Sequence, residues 1–236
     1  MKTSSNDIYL NGEYFNNNPD WDRADASWKV AIIDSLLKKN GIKPVEVIEV
    51  GCGAGGNLIE LAKKDSNIKK LAGYDISTQA IELAKKDETE RINFFNEDIL
   101  SFGDIHTDLM LVIDVIEHID DFYGFLRKLK DKSRYFVFHI PLDLSGRTIM
   151  KPHVMLQQRQ SVGHIHYFTR ETATWALKDT GYEIIDWVYT KPVIDIDKPG
   201  SFKRAAKKIL RNISYSINKE WSVKKWGGYS IMVLAK

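Results

Sequence analysis

A single cysteine, Cys52, in 236 residues excludes an intramolecular disulfide and any zinc site built from paired cysteines. No uninterrupted apolar run reaches the ~20 residues of a membrane span. The opening Met1-Lys2-Thr3-Ser4-Ser5-Asn6-Asp7 also lacks the apolar stretch of a secretory signal, so a cytoplasmic location is expected. Internal repeats and low-complexity tracts are absent too, which leaves an ordinary folded chain of a length that buries a substantial core. Net charge is only +2, yet it is unevenly spread. Between Lys198 and Lys225 nine basic residues face one acid, Glu220, a balance of +8, so the rest of the chain carries −6.

What is present is organised around Val45–Leu58. A β-branched run, Val45-Glu46-Val47-Ile48-Glu49-Val50, breaks into Gly51-Cys52-Gly53-Ala54-Gly55-Gly56 and resumes as the helical pattern Leu58–Lys64. This predicts a strand, a tight turn and a helix whose N-terminus offers unpaired N–H groups to a polar or anionic ligand. Cys52, inside the turn, reads as a small filler rather than a nucleophile.

The remaining pattern alternates. A helical stripe over Trp28–Lys39 stops before Asn40-Gly41 and leads into the first strand. Strands follow at Leu71–Asp75, Ile92–Phe95, Asp108–Asp114 and Tyr135–Ile140, with helices from Ser77 through Lys86 and from about Asp121 to Lys130. The almost continuous apolar run before Asp114 predicts a central strand buried on both faces. Such alternation implies a mostly parallel sheet with its ligand site outside the strands' carboxyl ends. Those ends carry the glycine turn, Asp75, Asp98, Asp114 and His118.

Residues 142–166 read as a polar, partly helical insertion with His153, His164 and His166. A helix from Thr169 through Lys178 stops at Gly181, and Glu183–Thr190 and Tyr229–Ala235 read as strands that pair antiparallel at the sheet edge. Between them Ser201–Lys219 spaces Phe202, Ala206, Ile209, Leu210, Ile213 and Ile217 helically, with lysines and arginines on other faces. Packing over the body, binding an anionic acceptor and touching a membrane surface all fit this pattern. No stacking-platform motif points to nucleic acid.

The glycines at 51, 53 and 56, with Asp75 downstream, satisfy a dinucleotide fingerprint. Tyr215 and Lys219 even match the Tyr-x-x-x-Lys pair of short-chain dehydrogenases, but Asn57 stands where their last turn glycine is needed and the pair lies in the basic appendage. Glu49-x-Gly51-x-Gly53-x-Gly55 instead resembles the first motif of the class I S-adenosylmethionine-dependent methyltransferases. The resemblance covers roughly residues 28–190. Asp114-Val115-Ile116-Glu117-His118, His166-Tyr167-Phe168-Thr169 and Gly181-Tyr182-Glu183 are similar to segments of the subgroup containing ubiquinone-biosynthesis and related small-molecule O-methyltransferases.

The resemblance implies an α/β, Rossmann-like fold: a seven-stranded, mostly parallel sheet with an antiparallel last strand and helices on both faces. It further implies one methyltransferase domain over 1–236, with an N-terminal helical cap (1–40), a cofactor-binding half (41–140) and a substrate half (141–236) carrying the basic insertion 191–228. S-Adenosylmethionine would be held by Glu49, Gly51, Cys52, Gly53 and Gly55, by Asp75 and Ile76 at the ribose, by Asp98 and Ile99 at the adenine, and by Asp114 and Val115. The acceptor would be a small molecule, anionic in one reading. His118, just past a central strand, is the first candidate for general base, with His164 and His166 behind it; His139 reads as a core histidine. Glu117, His118 and the later histidines lack a tight metal-binding spacing, so no metal is expected. A nicotinamide oxidoreductase and a non-catalytic, cofactor-binding relative are the alternatives.

Overall fold

A computed structural model describes residues 18, 21, 23–196 and 200–236. The part of the expected cap before residue 18 lies outside the described residues. Seven strands form one sheet: β1 Glu46–Val50, β2 Lys70–Tyr74, β3 Ile92–Phe95, β4 Thr107–Ile113, β5 Ser133–Pro141, β6 Ile184–Thr190 and β7 Ser230–Ala235. Their order is β3-β2-β1-β4-β5-β7-β6, and only β7 runs antiparallel to its neighbours. This is the expected Rossmann-like sheet: β6 and β7 pair antiparallel at its edge, with β7 lying between β5 and β6. β7 is apolar at every position except Ser230 and is buried along its whole length, which an interior place requires.

The sheet order reverses between β1 and β4, and there the carboxyl ends diverge into a crevice. Alternate residues of β4 serve opposite faces. Leu109, Leu111 and Ile113 pack with α1 (Ala26–Lys39) and α2 (Gly56–Lys64) through Ile33, Leu37, Leu58 and Leu61. Met110 and Val112 pack with Phe136 and Phe138 of β5 against α4 (Phe122–Leu129) and α7 (Arg170–Asp179) through Leu126, Leu129 and Leu177. Truncating any of these buried leucines to alanine costs about 2–5 kcal/mol.

Local signals set the ends of the elements. Ser77 caps α3 (Thr78–Ala84) by accepting from Ala80 N, and Asp121 caps α4 by accepting from Gly124 N. Thr169 and Thr172 form a reciprocal capping box at the start of α7. The insertion after β5 contains α5 (Gly146–Met150) and α6 (Pro152–Ser161), followed by the extended segment that returns His164 to the crevice.

A short α8 (Pro192–Asp195) precedes the basic appendage, which folds into α9 (Phe202–Ile217) and α10 (Lys219–Trp226). Helix α9 packs over the body, but not through its apolar stripe. The apolar stripe faces solvent, with Phe202 89% and Ile217 81% exposed and Ile209, Leu210 and Ile213 also exposed. The opposite face meets the body: Tyr215 stacks on Tyr229, Ser214 Oγ lies 2.8 Å from Ser222 Oγ, and Arg211 Nη2 donates to Trp226 O at 3.2 Å. Polar and aromatic contacts seat this helix, so its aliphatic stripe is left over.

Candidate active site

The turn after β1 is fastened to β2 by Gly51 N and Cys52 N, which donate to Tyr74 O at 2.8 and 3.1 Å. Gly51 has φ +66°, and a Cβ there would lie 2.7 Å from Val115 Cγ2, so both backbone conformation and the wall behind it demand glycine. Gly55, at φ +80°, is the N-cap of α2, and a Cβ on it would run into the Phe94 ring. Cys52 is buried within the turn, where desolvation pushes its thiol well above the usual range, in keeping with a filler.

A cavity of about 750 Å³ opens in front of this turn, within the ~300–1,000 Å³ typical of ligand pockets. Glu49, Gly51, Cys52, Gly53, Asp75, Ile76, Asp98, Ile99, Asp114, Val115, His118 and His164 all line it. Two expected site residues do not. Gly55 acts on the helix start and Phe94 rather than facing the cavity. His166 is turned away as well: its Nε2 donates to Ile119 O at 2.9 Å and its ring meets Phe122 edge-on. His164 and His166 alternate along the segment, yet they have different targets.

Asp75, at the end of β2, accepts from Gly53 N and Ser77 N, both at 2.8 Å, one on each oxygen. The carboxylate thereby fixes the glycine loop and keeps further lone pairs for a ligand; burial raises its pKa against these bonds. Glu49 is 1% exposed; its Oε1 accepts from Asn57 Nδ2 at 2.7 Å, and Oε2 has no partner. Desolvation pushes its carboxyl up to about 8, with Asn57 and Lys29 opposing. Asp98 uses Oδ1 to accept from Leu100 N at 2.9 Å and is exposed at the rim, while Ile99 beside it is buried.

Asp114 sits in a left-handed conformation, φ +54°, where β4 ends. His139 Nδ1 donates to its Oδ1 at 2.6 Å, and Lys29 Nζ of α1 lies 2.9 Å from Oδ2. Burial would raise the acid's pKa, but His139 and Lys29 together outweigh it and hold the group far below the carboxylate range. His139 Nε2 is 2.8 Å from Thr190 Oγ1, so this histidine is satisfied inside the protein as expected, although its ring also reaches the cavity wall. Lys29, Trp28 and Asn57 were not among the candidates. Asn57 stood within the turn segment, but nothing local to Lys29 announces that it bridges to residue 114.

At the far end of the cavity the single turn Ile116–His118 brings Glu117 and His118 together, and Glu117 O accepts from Ile165 N and His166 N at 2.9 and 3.1 Å. That pairing swings His164 over the turn. His118 Nδ1 lies 3.1 Å from Gly163 O and His164 Nδ1 lies 2.6 Å from Asp143 Oδ2. A carbonyl or carboxylate only accepts, so each Nδ1 carries the proton and each Nε2 keeps its lone pair while the ring is neutral. Burial, aided by His164, pulls His118 down to about 4, so it is neutral at physiological pH. Burial also works against protonated His164, but Asp143 and Glu117 overcome it and raise that pKa. Glu117 is fully buried, and desolvation pushes it up to about 8.

These features can be tested against S-adenosylmethionine. Its sulfonium-linked methionine carries an ammonium group, which suits the partnerless Glu49 Oε2, and its ribose diol suits Asp75 beside a turn that a Cβ would fill. The residues fit the group.

Comparison with known proteins agrees. Residues 21–186 match a family model described as a methyltransferase domain. Norajmaline N-methyltransferase from Rauvolfia serpentina is 30% identical over 94 residues, 37% of this chain and 32% of that enzyme, so the matched stretch spans about a third of the relative's length. Among solved structures, the complex between the Haloferax volcanii Trm112 methyltransferase activator and a methyltransferase aligns over 100% of this chain and 98% of the other, at TM-score 0.67 and 14% identity. Magnesium protoporphyrin IX methyltransferase from Synechocystis PCC 6803 with bound SAH aligns over 94% and 96%, at TM-score 0.61 and 17% identity. The chain belongs to the methyltransferase domain family.

Proposed function

We propose that this enzyme methylates a hydroxyl oxygen of a small-molecule acceptor, bound where the cavity extends from the glycine turn to Glu117, His118 and His164. The supporting observation is that one cavity of about 750 Å³ joins the two ends. Bound S-adenosylmethionine supplies a methyl carbon already activated for in-line displacement. The protein is left with alignment and with the acceptor's proton.

In this reading Glu49 receives the cofactor's ammonium, Asp75 its ribose hydroxyls, and Asp98, Ile76 and Ile99 flank its adenine. Gly51 and Val115 shape the floor beneath the methionine portion. His118 Nε2, held by the Nδ1 bond to Gly163, presents a lone pair to the acceptor hydroxyl. Its low basicity makes it an orienting acceptor more than a strong base.

The test is transfer of a labelled methyl group to a panel of phenols, sugar hydroxyls and amines, with the product's methylated atom identified. Methylation of hydroxyl acceptors, with at least a tenfold loss of kcat in His118→Ala and little change in cofactor Kd, is expected. Methylation confined to amines, the chemistry named for the Rauvolfia serpentina relative, would overturn the oxygen reading.

The solvent-facing stripe of α9 supports a second element of the proposal: the enzyme works against an anionic membrane surface. Exposed Phe202, Ile209, Ile213 and Ile217, with Arg204 and Lys207 also exposed on the same helix, have the composition of an interfacial helix. No described helix is long and apolar enough to cross a membrane.

A further inference from the structure

We propose that Glu117, His118 and His164 form a binding site for a divalent transition-metal ion of the zinc class, open on the side of the cavity where the acceptor hydroxyl would sit. As sequence neighbours 46 positions away from their third member they form no motif, which is why no metal was expected. Folding alone assembles them. One donor atom from each lies within 4.8 Å of the others, with Glu117 Oε1 at 3.8 Å from His118 Nε2 and 4.0 Å from His164 Nε2.

Three observations converge. Glu117 is 0% exposed and neither of its oxygens has a hydrogen-bond partner. A buried carboxyl left in that state costs several kcal/mol unless something compensates it. The imidazoles face it with Nε2, because each Nδ1 is committed elsewhere, His118 to Gly163 O and His164 to Asp143 Oδ2. Histidine ligands of metals are held in this way, the second ring nitrogen donating to a carbonyl or carboxylate that fixes tautomer and orientation. Asp143 is itself held by Gln158 Nε2 at 2.6 Å.

The donor set selects the ion. Two imidazoles and one carboxylate suit zinc and its first-row neighbours and disfavour magnesium and calcium, which take oxygen ligands. The 3.8 and 4.0 Å edges, and a third of at most 4.8 Å, exceed the ~3.3 Å edge of a tetrahedron with bonds of 2.0–2.1 Å, so the three side chains close by roughly 0.5–1.5 Å around the ion. Three protein ligands leave a position open to the cavity, as in catalytic rather than structural sites.

Resting on the oxygen-methylation reading, the ion would take the acceptor hydroxyl at that open position and lower its pKa, and His118 Nε2, as a ligand of the ion, would then act on the hydroxyl through the ion and not by a direct hydrogen bond. The O–H proton leaves to solvent and the oxygen lone pair forms the bond to the methyl carbon. The carbon–sulfur bond breaks with its electron pair remaining on sulfur, giving the methyl ether and S-adenosylhomocysteine. The ion is neither oxidised nor reduced.

The decisive experiment uses full-length, tag-free protein stripped with chelator, then titrated with Zn²⁺ by calorimetry and with Co²⁺ by visible absorption. One equivalent of each should bind, with Co²⁺ d–d bands of a four- or five-coordinate site. Glu117→Gln and His164→Gln should each weaken binding at least 100-fold, while His166→Gln, whose ring is turned away, should bind as the parent does. S-Adenosylhomocysteine affinity and thermal melts report whether each variant is folded. If the parent binds S-adenosylhomocysteine but neither Zn²⁺ nor Co²⁺ below about 100 μM, or if the Gln variants fold and bind metal like the parent, the metal site is overturned and the methylation reading stands. Stoichiometric metal binding without methylation of any hydroxyl would keep the site and overturn the reading on which its catalytic use rests.

Discussion

Lys29 Nζ reaches from α1 to within 2.9 Å of Asp114 Oδ2, bolting the helix that precedes the sheet to the carboxyl end of its central strand. Only 12% of the lysine side chain is exposed, so the pair works in a partly desolvated setting where losing one partner is costly. Lys29→Met should destabilise the protein by about 2–3 kcal/mol. A double-mutant cycle with Asp114→Asn, which tolerates the left-handed backbone, should give a coupling of at least about 1 kcal/mol. Additive denaturation free energies would show the two residues to be independent.

Asp75 joins loop geometry to ligand binding, because its two oxygens already hold Gly53 N and Ser77 N. Asp75→Ala removes both the anchor of the glycine turn and the acceptor proposed for the ribose hydroxyls. Calorimetry should show S-adenosylhomocysteine binding weakened at least tenfold, about 1.4 kcal/mol or more. Gly51→Ala should do the same by another route, since the new methyl group meets Val115. Affinity within twofold of the parent in either variant would count against the assignment.

Glu49 predicts a pH dependence whose sign follows from its burial. In the unfolded chain the group ionises at its ordinary value of 4.5, and in the folded protein at about 8. Below pH 4.5 it is protonated in both states and contributes no slope. Between 4.5 and about 8 the folded state keeps a proton that the unfolded state has released, so stability falls as pH rises. Glu49→Gln removes this penalty. Its melting temperature should match the parent's near pH 4.5 and exceed it by several degrees at pH 8.5, since 1 kcal/mol is worth about 2–4 °C in a chain of this size. Parallel pH profiles would contradict the burial argument. The same variant loses the acceptor for the ammonium group and should bind S-adenosylhomocysteine about tenfold less tightly.

Much of the cofactor end was legible because its signals are local. The turn glycines, the Ser77 and Asp121 caps and strand β3 at Ile92–Phe95 each declare themselves within a few residues. Asp75 and Asp114 could be placed because a parallel sheet sends every such strand end to the same side. What stayed hidden depends on distant packing. Lys29 is one cation among several on an amphipathic helix until α1 docks on β4. Glu117 meets His164 only because the backbone of Ile165 and His166 pairs with the Glu117 carbonyl. Antiparallel pairing of β6 and β7 could be anticipated, but not that β7 would insert beside β5. The stripe on α9 was visible as a stripe; which side faced the body was decided by Tyr229, Ser222 and Trp226, all beyond the helix itself.

That reversed orientation makes the last prediction quantitative. Phe202, Ile209, Ile213 and Ile217 share the exposed face of α9, and burying such side chains in the acyl boundary is worth about 1.5–3 kcal/mol each at full burial. Basic residues near an anionic surface add about 1 kcal/mol apiece. The parent protein should therefore sediment with vesicles containing phosphatidylglycerol and remain in solution with vesicles of phosphatidylcholine alone. Ile213→Ser combined with Ile217→Ser should weaken vesicle binding at least tenfold without changing S-adenosylhomocysteine affinity, since the stripe lies away from the cavity lining. Raising salt from about 0.1 to 0.5 M shortens the screening length from ~10 Å to under ~5 Å and should release the parent. Binding that is indifferent to lipid charge, or unchanged in the double variant, would assign the stripe to a protein partner instead.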